Sequence, residues 1–556
     1  MGAYACVAKP LSAAVAVVSC VLALSGCNAL DGLENAPGAI VDDDASGIEG
    51  PGKRLSSGRF GGLFHSGNLV FARDLDAEPD ELTLIDRTSE RECRIPGATW
   101  ISYFGQGWLA YQTQSEIEAG LGPLHFVDLA CRPLTYSVDQ ADLPFFFVND
   151  RALLMSDRRW LAVDPLTGEE SVLAEQVSRI GLSRNSGRNG VWGVVSGGEL
   201  LLFDDKFAAL GRVGTQLTRL VLASDAFVFE DAAGIHEVSV TSEGRIEDEV
   251  IAPNGCALRS TDSGWLLFYQ PCDGAVANAY VGGRKVRFGP NIPLEHAELT
   301  HLEEEKQTLR LYFVRDLNEA GLGALWSLDA KLPKDDGGQA ETETPVLIGE
   351  NADPRFLPIE NRDFATIVNL SNGLGKLVRQ ADDGDIVDLA VDAFPTSLVP
   401  YPEANPWFLQ RSSDVNGTLL EYCADCDEPV RVVGDKVPYY GYFSQLRGRK
   451  KPDVAILTDF DGATGTLTRH GEEVLATGVP PGQFAGLSFM PTGVVYLTEF
   501  NAEQKYGELR YINQELQING HIAATVSEFD IVYTPHPGIV YATQGKSPGL
   551  WFAPAK

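Results

Sequence analysis

Short apolar segments separated by polar turns recur along this chain from residue 68 to residue 544. One example is Arg151-Ala-Leu-Leu-Met-Ser-Asp157, which is followed after a tight turn by Trp160-Leu-Ala-Val-Asp164. Apolar runs of about four to eight residues bounded by Gly, Asp and Asn are typical of antiparallel β-strands. Twelve such segments occur, at residues 68–74, 107–113, 151–157, 190–196, 225–231, 264–270, 309–316, 363–370, 405–412, 452–459, 492–500 and 537–544.

Each segment has a partner strand a short loop later, and many pairs are followed by a polar turn and a weaker strand. Val163 to Ala174 shows this turn and weaker strand most clearly. A repeat of about 40 residues fits one four-stranded blade. Because such a sheet cannot bury both of its faces alone, radial stacking of several sheets is favoured. The sequence therefore predicts an all-β fold of the β-propeller class with about twelve four-stranded blades.

Twelve repeats exceed the roughly four to eight blades of common propellers. We therefore expect two tandem propellers of about six blades, one over residues 54–292 and one over 293–556, dividing near Pro290 to Pro293. A 7+5 division, a single ring and an array of β-sandwiches are the alternatives. The last repeat lacks an outer strand, and Arg54 to Phe60 is expected to supply it and close a ring.

The turn Asp164-Pro-Leu-Thr-Gly-Glu169 carries a further indication. Together with the repeats, it resembles the blade turn of TolB-like and quinoprotein-like β-propellers. The resemblance covers most of the chain, but only this turn matches fully. It implies a rigid ring with a broad binding face.

The N-terminus reads as a secretory leader. Lys9 precedes an apolar run, Leu11 to Ala23, that is too short for a good membrane span. Residues 1–26 are therefore predicted to be a cleavable signal peptide.

Leu24-Ser-Gly-Cys27 resembles the lipobox of bacterial lipoproteins, which implies cleavage before Cys27 and its acylation. Cys20 is a weaker candidate. Residues 27–53 would then be the lipidated Cys27 and a flexible acidic tether, since they contain almost no aromatic or β-branched residues that could form a core. In that family Asp after the Cys usually signals retention at the inner membrane, so with Asn28 the resemblance implies the outer membrane rather than the inner. The expected location is the cell envelope, facing either the periplasm or the surface.

Six further cysteines follow Cys27, and an even number in an exported protein suggests disulfides. The natural local pairs are Cys93 with Cys131, Cys256 with Cys272, and Cys423 with Cys426. Six cysteines allow about 15 pairings, so connectivity stays open. The last pair also has the CxxC spacing of redox and zinc sites, but a turn disulfide is the preferred interpretation.

The formal net charge of −33 argues against nucleic acid as a partner. No GxSxG, HExxH or P-loop motif is present, so catalytic residues are not predicted. His296 with His301, and Asp459 with Asp461, lack the spacing of metal sites. The sequence motifs thus predict no metal site and no cofactor.

These features favour a binding or scaffolding module over an enzyme. We expect a lipid-anchored envelope propeller with a protein or glycan partner, held on the membrane through Cys27. The alternative is a propeller enzyme acting on glycans or lactones, a lyase or hydrolase. Such enzymes collect residues from several blades at the channel mouth, so they need no linear motif.

Overall fold

The structure is a computed structural model that describes residues 51–555 apart from short gaps. The predicted leader, Cys27 and the tether up to residue 50 lie outside the described residues. The gaps are residues 78–80, 106–107, 114–123, 129–131, 139–140, 149–150, 184–189, 224–225, 262–264, 282–283, 304–307, 333–341, 357–364, 381–384, 399–404, 424–425, 427, 448–451, 488–492, 514–517 and 534–535.

Almost all regular structure in the described residues is β-strand. The exceptions are two short 3-10 turns, Leu294–His296 and Pro354–Phe356. Each of the twelve predicted apolar segments contains or overlaps an observed strand, so the all-β prediction is confirmed. The search for a helix long and apolar enough to cross a membrane, which covered the described part of the chain, found none.

Eight sheets have four antiparallel strands that follow one another in chain order. Tight turns connect such neighbours, as antiparallel pairing allows. The first strand, β1 (Lys53–Ser57), belongs to the last sheet, so the first sheet begins with β2. The eight sheets are β2–β5 (Phe60–Ser66, Leu69–Asp74, Glu81–Asp86, Arg91–Pro96), β6–β9 (Ala98–Gly105, Trp108–Thr113, Leu124–Asp128, Pro133–Val138), β10–β13 (Ala141–Val148, Arg151–Ser156, Arg159–Val163, Glu170–Ala174), β14–β17 (Val177–Ser183, Val191–Ser196, Glu199–Phe203, Ala209–Val213), β18–β21 (Arg219–Ala223, Ala226–Asp231, Gly234–Val240, Ile246–Pro253), β22–β25 (Cys256–Ser260, Leu266–Tyr269, Val276–Val281, Arg284–Pro290), β26–β29 (Ala297–Glu303, Thr308–Arg315, Gly323–Lys331, Val346–Ala352) and β36–β39 (Phe443–Arg447, Pro452–Thr458, Gly465–Arg469, Glu473–Val479).

Two larger sheets contain six and seven strands, and each has one unusually long strand. The first part of the long strand pairs with the strand before it and the last part with the strand after it. In the six-stranded sheet the long strand is β32, and in the seven-stranded sheet it is β43. The sheets are β30–β35 (Ala365–Ser371, Leu374–Gln380, Ile386–Leu398, Trp407–Arg411, Asn416–Tyr422, Val430–Pro438) and β40–β45 (Phe484–Leu487, Gly493–Asn501, Tyr506–Asn513, Ile518–Val532, Gly538–Thr543, Gly549–Pro554) with β1.

Apolar faces of consecutive sheets pack against each other. Trp160 of β12, for example, is fully buried against Trp192 and Phe203 of the next sheet, with ring centroids 5.8 and 5.3 Å apart. Side chains alternate between the two faces of each sheet, and both faces carry apolar residues. Each sheet is therefore covered by a neighbouring sheet on either side. The sheets therefore form a β-propeller, with the core divided into clusters between neighbouring blades.

The last sheet packs on the first and closes the ring. Val540 and Leu550 share a buried cluster with Val70 and Ala72. β1 pairs antiparallel with β45, with Lys53 opposite Phe552 and thus at the edge of the last sheet. The predicted use of the N-terminal segment as a closing strand is confirmed.

The expected pair of tandem six-bladed propellers is not supported. In that arrangement β22–β25 would pack on β2–β5. Instead Phe288 and Ile292 pack with Leu294 and Ala297 in one buried cluster, which joins β22–β25 to β26–β29. Among the described residues, each core cluster lies within a sheet or joins sheets that follow one another around the ring. Continuous packing across Pro290–Pro293 thus replaces the expected boundary between rings.

Candidate groove between the last two repeats

A groove of about 650 Å³ runs between the β42–β43 region and the β44–β45 hairpin. This volume lies within the range of small-ligand sites. The long strand β43 forms one wall, and its bend occurs at Thr525, where φ is +57°. The described lining residues are Pro51, Tyr506, His521, Ile522, Ala523, Ala524, Thr525, Tyr541, Thr543, Gln544, Gly545, Lys546, Ser547 and Trp551.

Tyr541 and Trp551 stand directly opposite each other on β44 and β45. Their rings are nearly parallel, with an interplanar angle of 7° and centroids 6.4 Å apart. Trp551 Nε1 donates a hydrogen bond to Thr543 Oγ1 at 3.1 Å. Because Tyr541 is fully buried, it holds the indole in place, whereas the half-buried rings of Trp551 and Tyr506 offer surface to a ligand.

Burial also acts on the Tyr541 hydroxyl. It raises the pKa of Tyr541, so the group stays a neutral donor. The hydroxyl donates to the backbone carbonyl of Pro51. The first described residues of the chain are therefore attached to the groove wall.

The groove differs in charge from the rest of the chain. Asp and Glu number 77 against 44 Lys and Arg in the whole sequence. Of the fourteen described residues that line the groove, none is Asp or Glu, while Lys546 and His521 are basic and exposed. Just outside, Arg54 places its guanidinium 5.8 Å from the Trp551 ring centroid. The described lining of the groove thus lacks carboxylates, although the chain as a whole is acidic.

Neutral hydrogen-bonding groups complete the lining. Thr525 Oγ1 donates to the Gln544 carbonyl at 2.8 Å, and Gln544 Nε2 donates to Ser527 Oγ at 3.1 Å. At the rim, Glu508 Oε1 lies 3.2 Å from His521 Nε2. An apolar aromatic wall with a few fixed polar groups is the composition of a small-molecule binding site.

Local sequence explains the groove's shape. Gly520 admits the Tyr511 ring, because a Cβ there would lie 2.3 Å from Tyr511 Cε1. Gly545 has φ of +84°, which an L side chain rarely adopts, and so permits the turn that presents Lys546. Gly520 thus lets Tyr511 of β42 pack closely on β43, and Gly545 places the Lys546 cation on the groove lining.

A second cluster of titratable groups lies where the first and last sheets meet. Glu528 Oε2 accepts a hydrogen bond from the Leu63 N–H at 3.0 Å, and His65 Nδ1 lies 2.6 Å from Asp530 Oδ2. Burial raises the pKa of Glu528, although backbone N–H groups of Leu63 and Gly62 oppose the shift. Since these bonds join two sheets, their direct role is to hold the ring closed.

The predicted cysteines lie away from both clusters. Disulfides join Cys256 to Cys272 and Cys423 to Cys426, two of the three local pairings considered. Cys93 is also disulfide-bonded, and Cys131 lies outside the described residues, as does Cys27. The Cys423–Cys426 bond closes the turn between β34 and β35.

The other motifs behave as local structure. Asp461 Oδ1 accepts N–H bonds from Ala463 and Thr464, both at 2.9 Å, which makes a tight turn. His296 ends a 3-10 turn, and the side chain of His301 is not among those that the structure describes. The search of the described residues for groups of three or more potential metal ligands found none.

Sequence reasoning missed the groove residues. Tyr541 lies in the predicted apolar segment 537–544, but apolar alternation alone assigns no binding role to Tyr541 or Trp551. The signal was available in the hairpin: a turn centred near Gly545 places positions 541 and 551 opposite each other. Only the fold shows that β43 stands beside that hairpin.

No family model and no curated protein matches this sequence. Among solved structures, the chain is similar to the dihydro-heme d1 dehydrogenase NirN in complex with DHE, with 12% identity and a TM-score of 0.28, over 56% of this chain and 71% of that one. It is also similar to the tricorn protease, with 10% identity and a TM-score of 0.17, over 88% of this chain. The match spans 60% of the tricorn chain. Similarity at these values carries no argument about activity.

Proposed function

We propose that this chain is a lipid-anchored cell-envelope propeller that binds an acidic glycan in the groove beside Trp551. The observation that carries the proposal is the lining itself: half-buried Trp551 and Tyr506 with Lys546, and no carboxylate among the described lining residues. The flat apolar face of a sugar ring packs on aromatic surface, and Lys546 would pair with a sugar carboxylate.

The attachment of Pro51 supports an envelope role for this groove. Pro51 lies near the end of the predicted tether, residues 27–53, and its carbonyl accepts the Tyr541 hydroxyl. If Cys27 is acylated, the groove lies at the point where the tether enters the propeller. A glycan at the membrane surface is then within reach of the bound protein.

Binding to a glycan array tests the ligand class. We expect the wild-type chain to retain uronic-acid oligosaccharides in preference to neutral ones. Lys546→Gln should lower the affinity for acidic sugars about 10-fold, a loss of about 1.4 kcal/mol, and leave neutral sugars unaffected. Lys331→Gln, at an exposed lysine of β28, is the matched control. Equal retention of acidic and neutral sugars would contradict the proposal.

The anchor has its own test. We expect the protein to partition into the detergent phase of Triton X-114, because several acyl chains give stable membrane attachment. Cys27→Ala should move it to the aqueous phase, whereas Cys20→Ala should not. An aqueous wild-type protein would remove the anchor from the proposal without affecting the groove.

We also infer that each larger sheet contributes two blades, so that the ring has twelve. Ile367 and Leu377 of the six-stranded sheet pack face to face with Phe408 and Tyr422 of the same sheet. In the seven-stranded sheet, Leu509 packs in the same way with residues of β44. Electron-microscopy class averages viewed along the axis should show twelve radial sheets, and ten would contradict the inference.

A further inference from the structure

Three consecutive sheets each place an arginine on their first strand. Arg179 lies on β14, Arg219 on β18 and Arg259 on β22. First strands of neighbouring sheets contact each other, β14 with β18 and β18 with β22, as expected for the edges that line the axis of a ring. The three cations therefore follow one another along the inner wall.

Two of the arginines occupy equivalent positions. Arg179 stands opposite Val195, and Arg219 stands opposite Glu230, the penultimate residues of β15 and β19. Arg259 lies further along its strand, opposite Leu267. Arg259 is thus displaced along the strand direction from the level of Arg179 and Arg219.

Contacts show where these side chains extend. Arg219 Nη1 donates to the Leu258 carbonyl of the next sheet at 3.1 Å. Arg259 Nη1 donates to the Leu294 carbonyl at 2.6 Å, and Arg259 Nη2 lies 3.7 Å from Glu298. The Arg219 and Arg259 guanidinium groups thus reach the following sheet and use only part of their five N–H donors.

Arg179 and Arg219 have no direct ion-pair partner among the described residues. Both side chains are exposed, and within the described part of the chain no carboxylate forms an ion pair with either. Glu230, which faces Arg219, instead accepts hydrogen bonds from the Leu258 N–H at 2.9 Å and Thr218 Oγ1 at 3.0 Å. On a chain with a net charge of −33, two arginines on adjacent first strands form a local positive site.

We propose that Arg179, Arg219 and Arg259 form a binding site for a small multivalent oxyanion on the inner wall of the ring. Planar guanidinium groups recognise carboxylate and phosphate oxygens through paired N–H donors. A ligand with two or three oxyanion groups engages more than one sheet at once. This site is separate from the groove and does not depend on the glycan proposal.

Calorimetric titration of the full chain with citrate and with tripolyphosphate tests the site. Binding of citrate alone identifies carboxylates as the ligand chemistry, and binding of tripolyphosphate alone identifies phosphates. Arg179→Gln should weaken binding about 10-fold or more, as expected for a lost charge-assisted hydrogen bond. Arg179→Gln with Arg219→Gln should abolish it.

Two controls keep the test independent of folding. Arg245→Gln changes an exposed arginine that is paired with Glu243, and should bind like wild type. Arg219→Lys keeps the charge and should retain part of the affinity. Binding of neither probe at millimolar concentration, or unchanged binding by the Arg179→Gln, Arg219→Gln protein, would overturn the proposal.

Discussion

The Glu528 carboxylate accepts a hydrogen bond from the backbone N–H of Leu63, with Oε2 and N separated by 3.0 Å although the two residues are 465 positions apart in the sequence. Leu63 belongs to an irregular stretch of β2, where the register with β3 shifts between Gly61 and Phe64. A bulge frees N–H groups from the ladder. Glu528 satisfies these groups and so joins the last sheet to the first.

Replacing Glu528 separates its two effects. Glu528→Ala should lower the free energy of unfolding by about 1–3 kcal/mol, because the Leu63 N–H loses its acceptor. Glu528→Gln keeps an acceptor and should cost less. Chemical denaturation near pH 4.5 measures both, with Glu319→Gln at an exposed loop as the control. Equal losses for Ala and Gln would contradict this role.

Glu528 also predicts a pH dependence. Its pKa is raised in the folded protein, so folding favours the protonated carboxyl. The group's stabilising contribution is complete below its ordinary pKa of 4.5 and is lost as the pH rises through the raised folded value. Glu528→Gln should therefore gain stability relative to wild type between pH 4.5 and pH 7. A constant difference across that range would disprove the linkage.

Removal of the closing strand β1 should destabilise the protein. A protein beginning at Pro51 should unfold at the same temperature as the full chain. A protein beginning at Gly58 lacks β1 and exposes the edge of β45, so its melting temperature should fall by several degrees, about 2 °C or more for each kcal/mol lost. Scanning calorimetry compares the two truncations. Identical melting temperatures would show that β1 does not close the ring.

The bidentate Arg310–Asp329 pair joins β27 and β28, with Arg310 buried and Asp329 half-buried. Arg310 Nε and Nη2 donate to the two carboxylate oxygens at 2.5 and 2.7 Å. Asp329→Ala should destabilise the protein by about 3–5 kcal/mol, since it leaves a buried cation unpaired. Changing Asp329→Leu together with Arg310→Met should cost much less. Urea titration of the two proteins distinguishes a coupled pair from two independent contacts.

The disulfides should differ in their effect on stability. Cys256 and Cys272 are 16 residues apart and Cys423 and Cys426 only three. Loop-closure entropy then predicts losses of about 3 and about 2 kcal/mol when each pair is changed to serine. The second loss should be smaller still, because the Cys423 N–H already bonds the Pro429 carbonyl at 2.9 Å. Thermal unfolding of the two double-serine proteins shows which disulfide contributes more to stability.

Strand positions were predictable because alternation and turn residues act locally. The segment from Arg151 to Asp157 contains β11 within one residue. The closing strand was also predictable, since an incomplete last repeat requires a partner. Both conclusions need only the pattern of neighbouring residues.

The number of rings was not predictable from such patterns. Proline residues around position 290 suggested a boundary, but Ile292 and Leu294 are 4% and 1% exposed and lie in a continuous core. A sheet can pack on the next sheet along the chain or close a ring by packing on the first sheet. The angle between blades decides between the two, and apolar alternation does not encode that angle. The arginines on β14 and β18 escaped notice for the same reason, as their adjacency depends on stacking.

The most direct test of the binding proposal is calorimetric titration of a uronic-acid oligosaccharide into three proteins. Wild type and Tyr440→Ala, which removes an aromatic side chain that is 69% exposed outside the groove, should bind equally. Trp551→Ala should lose at least about 10-fold in affinity, and Trp551→Phe should recover part of it, since burial of aromatic surface contributes most of the contact. Unchanged binding by Trp551→Ala would contradict the assignment of the groove as the binding site.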